Sequence, residues 1–148
     1  MWRSRLCLLG LVSAMALGAC GGSSDEDSTA TSASDYLEAV ADGDGEAACQ
    51  QLSAEGQTFA SQYAASRRLG TLDCAQAISQ LSPALPHAQL ETYSSVSAEI
   101  DADDVQLSGS TATVTVPRVN VPIYLEKEGE DWKVSATSIE GTFATGVF

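Results

Sequence analysis

Few side chains in this sequence have the type and spacing that chemistry requires, and the clearest is Cys20. It stands directly behind Leu17-Gly18-Ala19, at the end of an apolar run that begins at Leu6. A thiol in that position is a nucleophile presented next to a small-residue cleavage site. The other thiols are Cys7, Cys49 and Cys74, and no two of the four have Cys-x-x-Cys spacing, so the pattern of a dithiol redox centre or a zinc knuckle is missing. His87 is the only histidine. Alone it cannot build a metal site, and no local nucleophile motif accompanies it for a hydrolytic triad. Asp42-Gly43-Asp44-Gly45-Glu46 has the alternating acids of a calcium loop. However, Ala47 and Ser53 stand where such a loop needs its glycine and its closing glutamate, so turn and capping chemistry is the better reading. Asp101, Asp103 and Asp104 read as a solvated turn or bulge. No catalytic residue, metal or cofactor is assigned.

The segment ahead of Cys20 reads as an export signal. Arg3 and Arg5 form a positive start, and the apolar run from Leu6 to Leu17 is shorter than the roughly 20 residues a helix needs to cross about 30 Å of hydrocarbon. Ser4 separates the arginines, so a twin-arginine signal is absent. Leu17, Gly18, Ala19 and Cys20 resemble the lipobox of bacterial lipoproteins. The resemblance implies cleavage of residues 1–19 between Ala19 and Cys20, fatty acylation (diacylglyceryl or palmitate-type) of the Cys20 thiol, and a mature protein held at the extracytoplasmic face of the cell membrane. Residues 20–33, rich in serine, glycine and acid, read as the lipidated cysteine and a flexible tether with a span near 20 Å. Residues 34–148 form the globular domain.

On that reading Cys7 leaves with the signal and Cys20 carries lipid. Cys49 and Cys74 are then left as a pair in an oxidising compartment, and a disulfide between them is expected. The charge balance narrows the partners. The chain has 7 basic and 20 acidic residues, and loss of Arg3 and Arg5 leaves five basic ones, a net charge of about −15. That excess opposes nucleic-acid binding and adhesion to anionic headgroups. The membrane is therefore met through the lipid on Cys20. A small apolar ligand and an envelope protein remain as possible partners.

The elements that would position these residues fall into a helical half and a strand half. Ser34 caps a first helix carrying Tyr36, Leu37 and Val40 and ending at Asp42-Gly43. Asp44 caps a second, which carries Ala48, Cys49 and Leu52, breaks near Gly56, continues through Phe59, Tyr63 and Ala64, and closes with Arg67 and Arg68. Thr71 opens a third with Leu72, Ala75, Ile78 and Leu81, ended by Pro83 and Pro86, and His87 follows in a loop. Alternation then suggests a strand from about Leu90 through Val96, Ala98, Ile100 and Ala102, bent at Asp103 and Asp104 and resuming at Val105 and Leu107. After a turn at Ser108-Gly109-Ser110 comes Ala112, Val114, Val116. Pro117 and Pro122 mark a loop or exposed edge. Ile123-Tyr124-Leu125, a turn over 128–131 and Trp132-Lys133-Val134 complete the sheet, and the apolar tail from Ile139 to Phe148 packs back onto it.

Three helices ahead of an antiparallel sheet make an α+β domain. With Tyr36-Leu37-x-Ala39-x-x-x-Gly43-Asp44 in front, the Cys49 and Cys74 pair, and the hairpins Gly109-Ser110-x-Ala112-x-Val114 and Gly129-x-x-Trp132-Lys133-Val134, this order resembles the cone-shaped nuclear transport factor 2-like superfamily. More narrowly it resembles small actinobacterial-type lipoproteins of that fold. The resemblance covers about Asp35 to Ala136 and implies three N-terminal helices on a curved sheet that can enclose an apolar pocket. Ketosteroid isomerases and polyketide cyclases use such a pocket for acid-base chemistry, and other relatives are non-catalytic. Such isomerases set a buried carboxylate base against a tyrosine or protonated acid. On this resemblance Tyr36, Tyr63, Tyr93 and Tyr124 could supply the donor, but the sequence places no carboxylate against any of them. The expectation is therefore a non-catalytic ligand-binding or protein-interaction module. A small-molecule isomerase or dehydratase using the pocket is the alternative.

Overall fold

A computed structural model describes residues 24–143. The readings that fall on residues 1–23, including the apolar leader, Ala19 and Cys20, lie outside the described residues, as does the tail beyond Phe143. The elements run α1 (Asp25–Asp42), α2 (Gly45–Gln51), α3 (Ala54–Ser66), α4 (Cys74–Leu81), a 3-10 turn (Ser82–Ala84), α5 (His87–Ser97), a second 3-10 turn (Ala102–Asp104), β1 (Val105–Ser108), β2 (Thr111–Val116), β3 (Val121–Glu128), β4 (Asp131–Val134) and α6 (Ala136–Phe143). The strands form one antiparallel meander in the order β1-β2-β3-β4. The class is α+β as expected, but the helices are not confined to the N-terminal side. One follows the sheet, and another replaces an expected strand. Among the described residues no helix is long and apolar enough to cross a membrane.

The first helix begins well before Ser34. Ser24 caps it, its hydroxyl accepting from the Asp27 N–H while Asp27 reaches back to the Ser24 N–H, and Asp25, Glu26 and Asp27 place three acids at the positive end of the helix. Residues 25–33, expected as tether, are therefore helical. They lack bulky apolar groups because their inward face is made of small residues, Thr29, Ala30 and Ala33, all buried. Small side chains let α1 approach its neighbours closely, and it touches all four strands as well as α2 and α5. Its first turn is fastened to the sheet. Lys127 Nζ donates to Asp25 Oδ1 at 2.8 Å, and the indole N–H of the buried Trp132 donates to the same oxygen at 3.2 Å. These two donors hold the Asp25 carboxyl below its usual range, with the Lys127 hydrogen bond the larger cause.

The α2–α3 break falls at Leu52-Ser53, not at Gly56. Leu52 leaves the helix to form a parallel bridge with Val134, the Ser53 N–H donates to the Val134 carbonyl at 3.0 Å, and the Ser53 hydroxyl caps α3. Asp44 caps α2 as expected, and Gly43 closes α1 in the left-handed conformation at φ 71°. The calcium-like run is thus a helix-to-helix joint. Asp73, with Gln76 three residues on, caps α4 in place of Thr71. Cys49 and Cys74 are bonded, with Cα atoms 6.1 Å apart, joining α2 to the first turn of α4.

The expected first strand is helix α5. Gln89, Tyr93, Val96 and Ser97 are buried at helical spacing, whereas Ala98, which strict alternation would bury, is exposed. Asp101 and Asp104 cap the short 3-10 turn that follows. The remaining strands and both hairpin turns lie where alternation puts them. Pro122 lies inside β3, a central strand, and the pairing explains why. The Tyr124 N–H points away from β2 to the Ser138 hydroxyl at 2.7 Å. Pro122, two residues earlier, faces the same side, beyond the reach of β4, which pairs with β3 only from Leu125 onward. No ladder bond is lost. The C-terminal segment packs back as a helix, with Ile139 and Phe143 buried.

Candidate functional site

Among the described residues, a polar cluster drawn from three helices sits in the core. α1 contributes Tyr36, α5 contributes Gln89 and Tyr93, and α6 contributes Ser138 and Thr142. The Tyr93 hydroxyl donates to the Thr142 carbonyl at 2.6 Å. The Gln89 amide donates to the Tyr93 oxygen at 2.7 Å and to the same carbonyl at 3.2 Å. Burial pushes the Tyr93 hydroxyl up to about 12, partly offset by the Gln89 hydrogen bond. Tyr36 is fully buried, and burial raises its hydroxyl further. The Thr142 hydroxyl lies close enough to that group to offset part of the rise, but its own proton goes to the Ser138 carbonyl at 2.8 Å and no hydrogen-bond geometry to Tyr36 is formed. Among the described residues the Tyr36 hydroxyl makes no hydrogen bond.

A hollow opens from this cluster beneath the sheet, lined by Leu37, Tyr93, Val116, Ile123, Ser138 and Thr142 together with the start of β3. Its volume is about 20 Å3, room for about one water molecule, against the roughly 300–1,000 Å3 of ordinary small-molecule sites. None of its lining side chains is charged. The groups facing it can donate or accept hydrogen bonds, but none is a base of the strength that proton abstraction next to a carbonyl requires.

The remaining singled-out residues do not converge on this hollow. His87 is exposed at the start of α5, its Nδ1 3.4 Å from Glu91 Oε1. Tyr63 donates to the Phe143 carbonyl at 3.5 Å and accepts from Arg67 at 3.1 Å, with the guanidinium over its ring. Tyr124 is exposed on the sheet. The Cys49–Cys74 bond lies in the α2–α4 contact. Asp35, Glu38, Asp42 and Asp44 line an open surface groove between α1 and α2. Among the described residues no three histidine, cysteine or acidic side chains are gathered as a metal site. The cluster members that sequence reasoning missed are Gln89, Ser138 and Thr142. Gln89-x-x-x-Tyr93 carries the i, i+4 spacing of a helical pair, a signal hidden by reading that stretch as a strand.

No protein family, no curated protein and no solved structure matches this chain.

Proposed function

We propose that this protein is a lipoprotein anchored through Cys20 at the extracytoplasmic face of the cell membrane, and that its domain is a non-catalytic protein-interaction module. The observation that carries the second part is the size of the interior hollow, about 20 Å3. The hollow beneath the sheet is water-sized, and the roomier apolar cleft of about 270 Å3 at Leu69, Leu81, Leu85 and Phe143 opens at the surface, so among the described residues binding falls to the outer surface. The cone-fold resemblance belongs to the same proposal and is supported by α1 lying across all four strands. Binding of a small apolar ligand is the second reading, favoured by the mostly apolar hollow and by the buried Tyr36 hydroxyl, which has no hydrogen-bond partner among the described residues. The isomerase or dehydratase reading ranks below both because the lining side chains include no carboxylate.

Native mass spectrometry of the membrane-extracted protein, compared with the same sample denatured, tests the interaction reading. The expected result is the mass of the lipidated chain in both spectra. Additional mass in the native spectrum that is lost on denaturation would identify a retained ligand and overturn the filled-interior account. Crosslinking in the intact envelope should then yield one discrete protein adduct, and failure to form any would count against a protein partner.

A further inference from the structure

We infer that the anchored domain stands with its two hairpin turns towards the bilayer that holds the lipid on Cys20, and with the opposite pole, where α1 ends and α5 begins, facing outward; this rests on the lipoprotein reading above. The inference follows from where the fold begins. Helix α1 starts at Asp25, so only the Cα–Cα steps from Cys20 to Ser24 separate the lipid from the folded domain. Covalent geometry limits those four steps to about 15 Å.

The point from which that short link departs is fixed within the fold. Asp25 is held by Lys127 of β3 and Trp132 of β4, which face each other next to the β3–β4 turn. The β1–β2 turn lies at the same pole, because the Lys127 N–H donates to the Ser110 carbonyl at 2.8 Å. Helix α1 then runs 18 residues away from this pole, about 27 Å at 1.5 Å per residue. Its far end, Ala41 and Asp42, shares a surface groove with His87 and Leu90.

Size decides the orientation. A compact domain of about 120 residues has a radius near 18 Å, larger than the link's reach. To bring His87 to the headgroups, the link would have to wrap half-way round the domain, roughly 55 Å, which four residues cannot do. Charge does not hold the near pole down. Asp27, Glu128, Glu130 and Asp131 are exposed there, and acids within a Debye length of anionic headgroups are repelled. Covalent reach alone sets the juxtaposition: it forbids inversion of the domain and keeps the far pole clear of the headgroups.

The test uses the full lipidated chain in phosphatidylcholine vesicles that contain a lipid with nickel chelated at its headgroup. A nitroxide label is attached through Glu130→Cys at the near pole or His87→Cys at the far pole, with co-flotation and intact mass recorded on the same samples. Relaxation of the nitroxide by nickel falls steeply with distance, so the label at position 130 should be relaxed at least about fivefold more than the one at 87, given the length of α1. Inserting about 20 Gly/Ser residues between Gly22 and Ser23 lengthens the link's fullest reach by roughly 70 Å, more than the way round the domain, and should move the ratio towards one. Equal or reversed relaxation in floated protein, or a ratio that survives the insertion, overturns the orientation while leaving the anchor intact. A chain that carries no lipid and does not float overturns the anchor and the orientation with it.

Discussion

Two tyrosines in one cluster should respond in opposite ways to the same substitution. Tyr36→Phe removes a hydroxyl that is fully buried and makes no hydrogen bond among the described residues. Leaving such a group out of water costs about 1–3 kcal/mol. The void left by one oxygen, roughly 10 Å3, returns only about 0.2 kcal/mol of that. The variant should therefore gain about 1 kcal/mol. Tyr93→Phe removes the donor to the Thr142 carbonyl at 2.6 Å and the acceptor of the Gln89 amide at 2.7 Å, and strands one amide N–H in the core. The expected loss is about 2 kcal/mol. Urea unfolding reads both. With a slope of about 1.5 kcal/mol/M, the midpoint should rise by roughly 0.7 M for Tyr36→Phe and fall by roughly 1.3 M for Tyr93→Phe, with the slope unchanged in each. If Tyr36→Phe lowers the midpoint as Tyr93→Phe does, the Tyr36 hydroxyl is satisfied, and the support it lends to a ligand in the hollow falls away.

Both hydroxyls also set an alkaline limit. Each ordinarily titrates near 10, and in the folded protein Tyr93 is pushed to about 12 and Tyr36 higher. From pH 10 upward the folded state holds protons that the unfolded state has lost, so stability should be flat below pH 10 and fall above it by up to about 1.4 kcal/mol per pH unit per tyrosine. Melting curves from pH 8 to 11.5 check this, and an unchanged melting temperature above pH 10 would contradict it. Replacing Cys49 and Cys74 together by alanine opens a cross-link with a sequence separation of 25 and should cost roughly 3.5 kcal/mol in the chain-entropy picture, read as a lower urea midpoint that added reductant no longer changes. Gly45→Ala sets a Cβ against the Ala75 carbonyl oxygen and Ser79 Oγ of α4. It should destabilise by about 2–4 kcal/mol, since α2 can retreat only by pulling on the disulfide. A neutral result in thermal unfolding would show that this contact is looser than described.

The sequence was most legible where turn chemistry and alternation agree. Gly109 and Gly129 mark the two hairpins, Asp44 caps α2, and Ala112, Val114 and Val116 point into the core. It misled where small residues do the packing. Residues 25–33 look too polar to fold, yet a helix buried through Thr29, Ala30 and Ala33 needs no bulk. The α5 stretch offered two periods at once. Val96, Ala98, Ile100 and Ala102 alternate, but the three- and four-residue spacings of Gln89, Tyr93, Val96 and Ser97 match the buried face. The Leu52-Ser53 break was hidden because it depends on Val134, far along the chain, offering its carbonyl to the Ser53 N–H. The polar cluster was hidden for a similar reason. Its members come from helices brought together only by the tertiary fold, and nothing in the spacing of Tyr36 from Thr142 announces their contact.

The most direct test of the account is the intact mass and N-terminal peptide of the protein extracted from membranes of cells that express the full chain. The expected species is a mature chain that begins at Cys20 and carries a diacylglyceryl group on its thiol, with nothing left of residues 1–19. An unmodified Cys20, whether in the uncleaved chain or in a chain cut elsewhere, would contradict the anchor on which the proposed function rests.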